Sequence, residues 1–295
     1  MQGPAPQPAR GFTLVEIIVV IVVLGIVAGI TTRFFNTSMQ TYTGTELRDA
    51  LSRTGRISIE RVNRELRNAV PNTVRVDASG TCVEFLPLVA SALYQDQNVT
   101  YGTGTASALA PVAPAAAADR FDVFDLAFTP SAGAAYYVLV YPYGPGSGAG
   151  DPWQAADPGP LAAFQGFDTA PALPAGVRRV VLAATHRFLR HSPRRRVFIA
   201  GGPVSFCVVG NRLLRYSGYA LSAAQPVPPP GGQVLAEDIQ TADPEIPMGS
   251  VFAYSGPTLT RNATVVLDFR FMRPDHLGNA EWVRMSHEVQ IRNVP

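Results

Sequence analysis

One carboxylate stands in an apolar stretch where charge is unfavourable. Glu16 is the single charged residue between Leu14 and Ile30, LVEIIVVIVVLGIVAGI. A charge within a membrane span costs on the order of a few kcal/mol, less near the helix end. Two readings fit: Glu16 lies at headgroup level, or it meets a buried positive partner. The other residues able to do chemistry are scattered. His186, His191, His276 and His287 share no metal-ligand spacing with the cysteines or with a HExxH helix. Residues 144–150, GPGSGAG, are not a nucleophile elbow, because Ser147 lacks a Gly two residues before it. They are not a dinucleotide fingerprint either, because the third Gly is misplaced. Asp122 and Asp125 alternate with apolar neighbours, as on a solvated strand face. No catalytic pair, metal site or cofactor motif emerges, so the chain reads as a non-enzyme. His186–Arg196, HRFLRHSPRRR, gathers Arg187, Arg190, Arg194, Arg195 and Arg196 around Phe188. This run could contact nucleic-acid phosphate or an acidic partner; a solvated turn between strands is the competing account.

Composition narrows the classes. With 47% apolar and 16% charged residues in 295, the chain is too apolar for a disordered tail and too sparsely charged for a coiled coil. A net charge of +2 excludes a polycation. All 24 basic residues are Arg, alongside 26 Gly and 26 Pro. That is a general bias, so the Arg count by itself implies no phosphate ligand. Two cysteines, Cys82 and Cys207, are too few for a zinc ribbon or a disulfide-dense fold.

The element that must carry Glu16 is a helix. Residues 12–30 at 1.5 Å each make about 28 Å, one hydrocarbon thickness, with no polar stripe. A single membrane-spanning helix is expected. A cleaved secretory signal fits less well: the apolar run is too long, and Arg33-Phe34-Phe35 follows it instead of a small-residue site. Arg10 and Arg33 flank the run on opposite sides and leave its orientation open.

Gly11-Phe12-Thr13-Leu14-Val15-Glu16, followed by the unbroken apolar run, resembles the type IV prepilin signature. The resemblance implies cleavage by a prepilin peptidase between Gly11 and Phe12. It also implies N-methylation of Phe12, and pairing of Glu16 with the N-terminal amine of a neighbouring subunit during assembly. It implies other minor and major pilins as partners through the N-terminal helix. The expected location is the inner membrane, single-pass, with a periplasmic head, and then a pilus or endopilus. The leader departs from the pattern, since it carries no basic residue before Arg10.

The organisation expected is a leader over 1–11, a membrane and assembly helix over 12–30, an amphipathic helix over 31–70 and a β-rich head over 71–295. Leu47, Leu51, Gly55, Ser58, Val62, Leu66 and Ala69 recur at helical spacing. Pro71 closes the helix, and the Thr/Ser-rich stretch Thr31–Gly44 could bend it. Short β-branched or aromatic runs follow. In Thr264–Met272, Val265, Leu267, Phe269 and Phe271 fall on one face. Residues 103–118, 142–176 and 220–232 read as long Gly/Pro/Ala surface loops. The fold class is therefore α+β: a long helix packed on a mostly antiparallel sheet. Cys82-Val83-Glu84-Phe85, Val204-Ser205-Phe206-Cys207 and the closing His287–Pro295 are similar to minor pilins of the MSHA-biogenesis MshO type, relatives of J-type minor pseudopilins of type II secretion. In an exported head the two cysteines could pair, since each sits in an apolar run. Two separate buried thiols are the alternative.

Overall fold

The computed structural model describes residues 11–95, 99–101, 104–106, 117–168, 173–241, 250–258, 261–275 and 278–291. Residues 1–10 of the leader, His276 and most of the 103–118 loop lie outside them. The fold is α+β: one long helix, Leu14–Arg67, and antiparallel strands. The stretch Thr31–Gly44 stays continuously helical and does not loosen. Hydroxyls of Thr31, Thr32, Thr41, Thr43 and Thr45 donate to carbonyls one turn back at 2.7–3.0 Å, which satisfies them inside the helix.

Two compact units divide the chain. Met1–Ala50 with Pro274–Glu281 form one; within it Arg48 pairs with Glu281 at 2.5 Å. Leu51–Arg273 with Trp282–Pro295 form the other. In this second unit Leu51, Val62, Leu66 and Ala69 pack on two sheets. Five strands make the first, in the order Arg75–Val76, Cys82–Phe85, Val204–Val209, Arg212–Ser217, Gln233–Ala236. Ala263–Pro274 is the centre of the second, pairing with Ile239–Gln240, Phe252–Ser255 and Ala280–Ile291. Val265, Leu267, Phe269 and Phe271 are all fully buried on the helix side, as their alternation requires. Gly55 has a packing reason: a Cβ there would stand 2.6 Å from Met285 Sδ and 2.9 Å from Phe271 Cε2. Arg61 reaches Glu65 one turn on, at 3.4 Å. The helix stops short of Pro71 because Asn68 leaves it for the sheet. The Asn68 carbonyl accepts from the Leu88 amide, and its Nδ2 donates to the Leu88 carbonyl, both at 2.8 Å.

A single sheet was the expectation; a closed six-stranded barrel stands beside the helix-backed sheets. Its order is Arg196–Gly201, Leu88–Tyr94, Ala118–Phe124, Val177–His186, Leu161–Asp168, Tyr136–Leu139. Its interior holds Tyr94, Phe121, Val123, Val138, Val180 and Ile199. Closure removes the free edges that an open sheet of this size would present. One of its strands, Leu161–Asp168, lies within 142–176, so that segment is not merely a surface loop. Trp153 from the same segment is 1% exposed, and its Nε1 donates to the Thr73 carbonyl at 3.0 Å. The solvated face assigned to Asp122 is also corrected. Asp122 is fully buried and takes two hydrogen bonds from Arg179, at 2.7 and 3.0 Å, across the strand pair. A buried carboxylate needs such a partner. Asp125 is exposed, in a positive-φ turn after the strand.

Cys82 and Cys207 face each other across adjacent antiparallel strands and are bonded, with Cα atoms 4.1 Å apart. The bridge closes a separation of 125 residues. Replacing both by Ser should therefore lower unfolding free energy by about 2–5 kcal/mol, mainly through the freer unfolded chain. Denaturant midpoints of the wild type and the double variant check this; equal midpoints would refute it.

Candidate functional site

Phe12 and Glu16 sit where the helix begins. Thr13 precedes the first helical residue, and its Oγ1 accepts from the Glu16 amide at 3.3 Å. That is a Thr N-cap bond, which places Glu16 at the third helical position. Acidic residues there also favour the positive end of the helix dipole. The Glu16 carboxylate thus also sits favourably in the first helical turn, which the apolar-run reading missed; Thr13 just ahead of the run carried the signal of the helix start. Gly11 and Phe12 precede the helix in non-helical backbone. Nothing lies within 4 Å of the position a Gly11 Cβ would take, and Phe12 is 78% exposed.

Beyond Glu16 the helix offers apolar side chains all round. Among the described residues it is the one helix long and apolar enough to cross a membrane, and none of its apolar window is buried. Exposed Phe34, Phe35, Met39 and Tyr42 continue the greasy surface past Ile30. With no polar stripe, such a helix must be covered by lipid or by other helices.

The arginine run does not form one face. Arg187 lies 3.9 Å from Asp157. Arg190 stands over the Tyr143 ring at 5.7 Å. Arg194 and Arg195 are exposed in a turn organised by Ser192. Arg196 begins the next strand and lines a separate cavity with Arg67. Phe188 is buried in the barrel. Of the histidines, His186 is buried against the Gly159 carbonyl at 3.0 Å, His191 meets Tyr94 Oη at 3.1 Å, and His287 is exposed. Among the described residues no three His, Cys, Asp or Glu side chains are grouped to hold a metal.

The head contains a buried polar cluster that no sequence pattern announced. Arg75 donates to Glu84 at 2.6 Å, and Tyr219 donates to the other carboxylate oxygen at 2.9 Å. Ser205 meets the Tyr219 hydroxyl at 2.5 Å. The remaining Arg75 nitrogens donate to the Ala223 and Ser222 carbonyls, and its guanidinium lies 3.9 Å over Trp153. Burial pushes the Glu84 carboxyl above its usual range, against the opposing pull of Arg75 and the Tyr219 hydrogen bond. Burial likewise pushes the Tyr219 phenol up. The cluster ties the two Pro/Ala-rich segments, through Trp153 and through Ser222 and Ala223, to the sheet that carries the disulfide. Its contacts hold these loops in place.

The model of the prokaryotic N-terminal methylation motif matches residues 7–32. No curated protein and no solved structure matches the chain. The matched segment includes Gly11, Phe12, Glu16 and the apolar run. It supports a type IV pilin-like protein, processed by a prepilin peptidase, whose apolar helix fits a membrane anchor.

Proposed function

We propose that the chain is a minor type IV pilin-like subunit, incorporated at or near the tip of a fibre, where it primes assembly or adhesion. One observation supports this best: a prepilin-type motif opens a helix whose N-terminal half is exposed on all sides, in a chain with a large, elaborated head. A fibre whose repeating shaft packs through such helices leaves room for a bulky head chiefly at its end. The leader would be removed from the inner membrane's cytoplasmic face, and the head would fold in the periplasm. The buried disulfide favours that oxidising compartment. A J-type subunit of a secretion endopilus is the second reading. It is favoured by the same helix and by the head segments around Cys82 and Cys207. A DNA-binding tip module has less support, because the arginine run is dispersed.

Cleavage after Gly11 leaves 284 residues (295 − 11), beginning at Phe12. Gly at the cut gives the peptidase access to backbone that any side chain would crowd. Intact-mass analysis of protein from cells with the peptidase should show the 284-residue chain plus one methyl group. An intact leader there would refute the processing. Recovery in sheared surface fibres, against retention in an envelope secretion complex, separates the two readings.

A further inference from the structure

Where the helix ends, a cavity of about 460 Å³ opens against the outer face of the barrel. Arg67, from the last helical turn, and Arg196, from a barrel strand, both line it. Ser91 and Gln290 add polar groups, and Leu88 and Phe198 add apolar surface. Among the described residues no acidic side chain lines the cavity, and neither arginine has an ion-pair partner. Beside it the strand Leu88–Tyr94 leaves Val89 and Leu93 45% and 51% exposed, on the same face as Ser91. Arg196 stands directly across from Leu93, and Phe198 directly across from Ser91. Cations, hydrogen-bonding groups and aliphatic surface therefore meet at one recess.

We propose that this recess docks an acidic segment of a partner protein, one in which Asp or Glu alternates with aliphatic residues. A carboxylate accepts paired N–H groups from a guanidinium and would neutralise Arg67 and Arg196. Ser91 and Gln290 can bond the peptide backbone, while the partner's aliphatic side chains cover Val89 and Leu93. Nucleic acid fits less well. It presents phosphates at regular spacing and is held by a broad cationic face without exposed aliphatics. The exposed Arg194 and Arg195 on the neighbouring turn add steering rather than contact. The proposal does not depend on entry into a fibre.

The test uses the full chain in detergent micelles and labelled hexapeptides that alternate Asp or Glu with Leu or Val. Matched peptides carry Asn or Gln instead. Fluorescence anisotropy should show binding of the acidic set only, weakening as salt is raised. Arg67→Gln and Arg196→Gln should each weaken it by about tenfold or more, close to 1.4 kcal/mol. Arg194→Gln should change it by less than about threefold, and thermal unfolding should show all three variants folded. The proposal is overturned if no acidic peptide binds, if the amide set binds equally, or if binding survives both pocket substitutions. It is overturned equally if a DNA duplex outcompetes the acidic set and is itself lost in both pocket variants.

Discussion

Glu16→Val should leave membrane insertion, leader removal and head folding intact, while recovery of the protein in sheared fibres or with partner pilins falls by about tenfold or more, at least 1.4 kcal/mol in association. Cleavage creates a charged amine at Phe12. Carrying that amine into an apolar helix bundle without a partner would incur a large desolvation cost. Glu16, one turn further along, can receive the amine of an incoming subunit stacked with an axial offset. The buried pair then sets register, because a misplaced neighbour leaves two unpaired charges. The Thr13 N-cap bond uses the Glu16 backbone amide and survives in the Val variant; locally, Val loses only the carboxylate's interaction with the positive end of the helix dipole, about 0.3–1 kcal/mol. Glu16→Gln tests the charge directly, since Gln keeps the length and polarity of the side chain and the N-cap bond but carries no charge. If charge pairing drives assembly, Gln fails nearly as badly as Val, and Asp, with a shorter reach, retains part of the incorporation. Wild-type incorporation of the Val variant would reduce Glu16 to a headgroup-level residue. Full rescue by Gln would show that side-chain length and polarity, not charge, set its role.

The second large effect is expected in the head. Arg75→Ala should destabilise it by about 3–5 kcal/mol, because Glu84 stays fully buried with only the Tyr219 hydroxyl to receive its charge. The pH dependence follows from the raised Glu84 carboxyl. A carboxyl whose folded pKa exceeds its unfolded 4.5 binds more protons folded than unfolded in the window above 4.5. Stability then falls as pH rises through that window and is regained on acidification towards 4.5. Removing Arg75 removes the main opposing pull, so the window widens and the deficit of the variant grows from acid to neutral pH. Denaturant titrations of both proteins from pH 4 to pH 7 measure it. A pH-independent deficit would show that Arg75 acts through Trp153 and the Ser222 and Ala223 carbonyls instead. In that event Arg75→Met with Glu84→Met would stay as unstable as Arg75→Ala. If the charge dominates, the double variant recovers much of the loss.

Elements with a local signal were legible in the sequence. The apolar run after Gly11 forms a helix because 3.6-residue geometry satisfies every backbone group without help from the rest of the chain. Of the stripe expected from Leu47, the members Leu51, Gly55, Ser58, Val62, Leu66 and Ala69 are buried in the second unit, as their spacing requires, while Leu47 is only half-buried. Val265 to Phe271 alternate and are buried accordingly. Glu16 stood out because one carboxylate among apolar residues is conspicuous at any level of description. Strands without such a signal were hidden. Leu88–Tyr94 reads LVASALY and Leu161–Asp168 reads LAAFQGFD, each diluted by Ala or Gly. They become strands because barrel closure pairs them with segments far along the chain. The same long-range pairing decided the charges. Asp122 is an ion-pair partner only because Arg179 lies opposite it, and Glu84 is tolerated only because Arg75 and Tyr219 converge on it. Arg67 and Arg196 share a recess although they lie 129 positions apart (196 − 67). Periodicity is written in neighbours a few residues apart, whereas burial of a charge depends on which distant segment arrives beside it, and only the tertiary structure decides that.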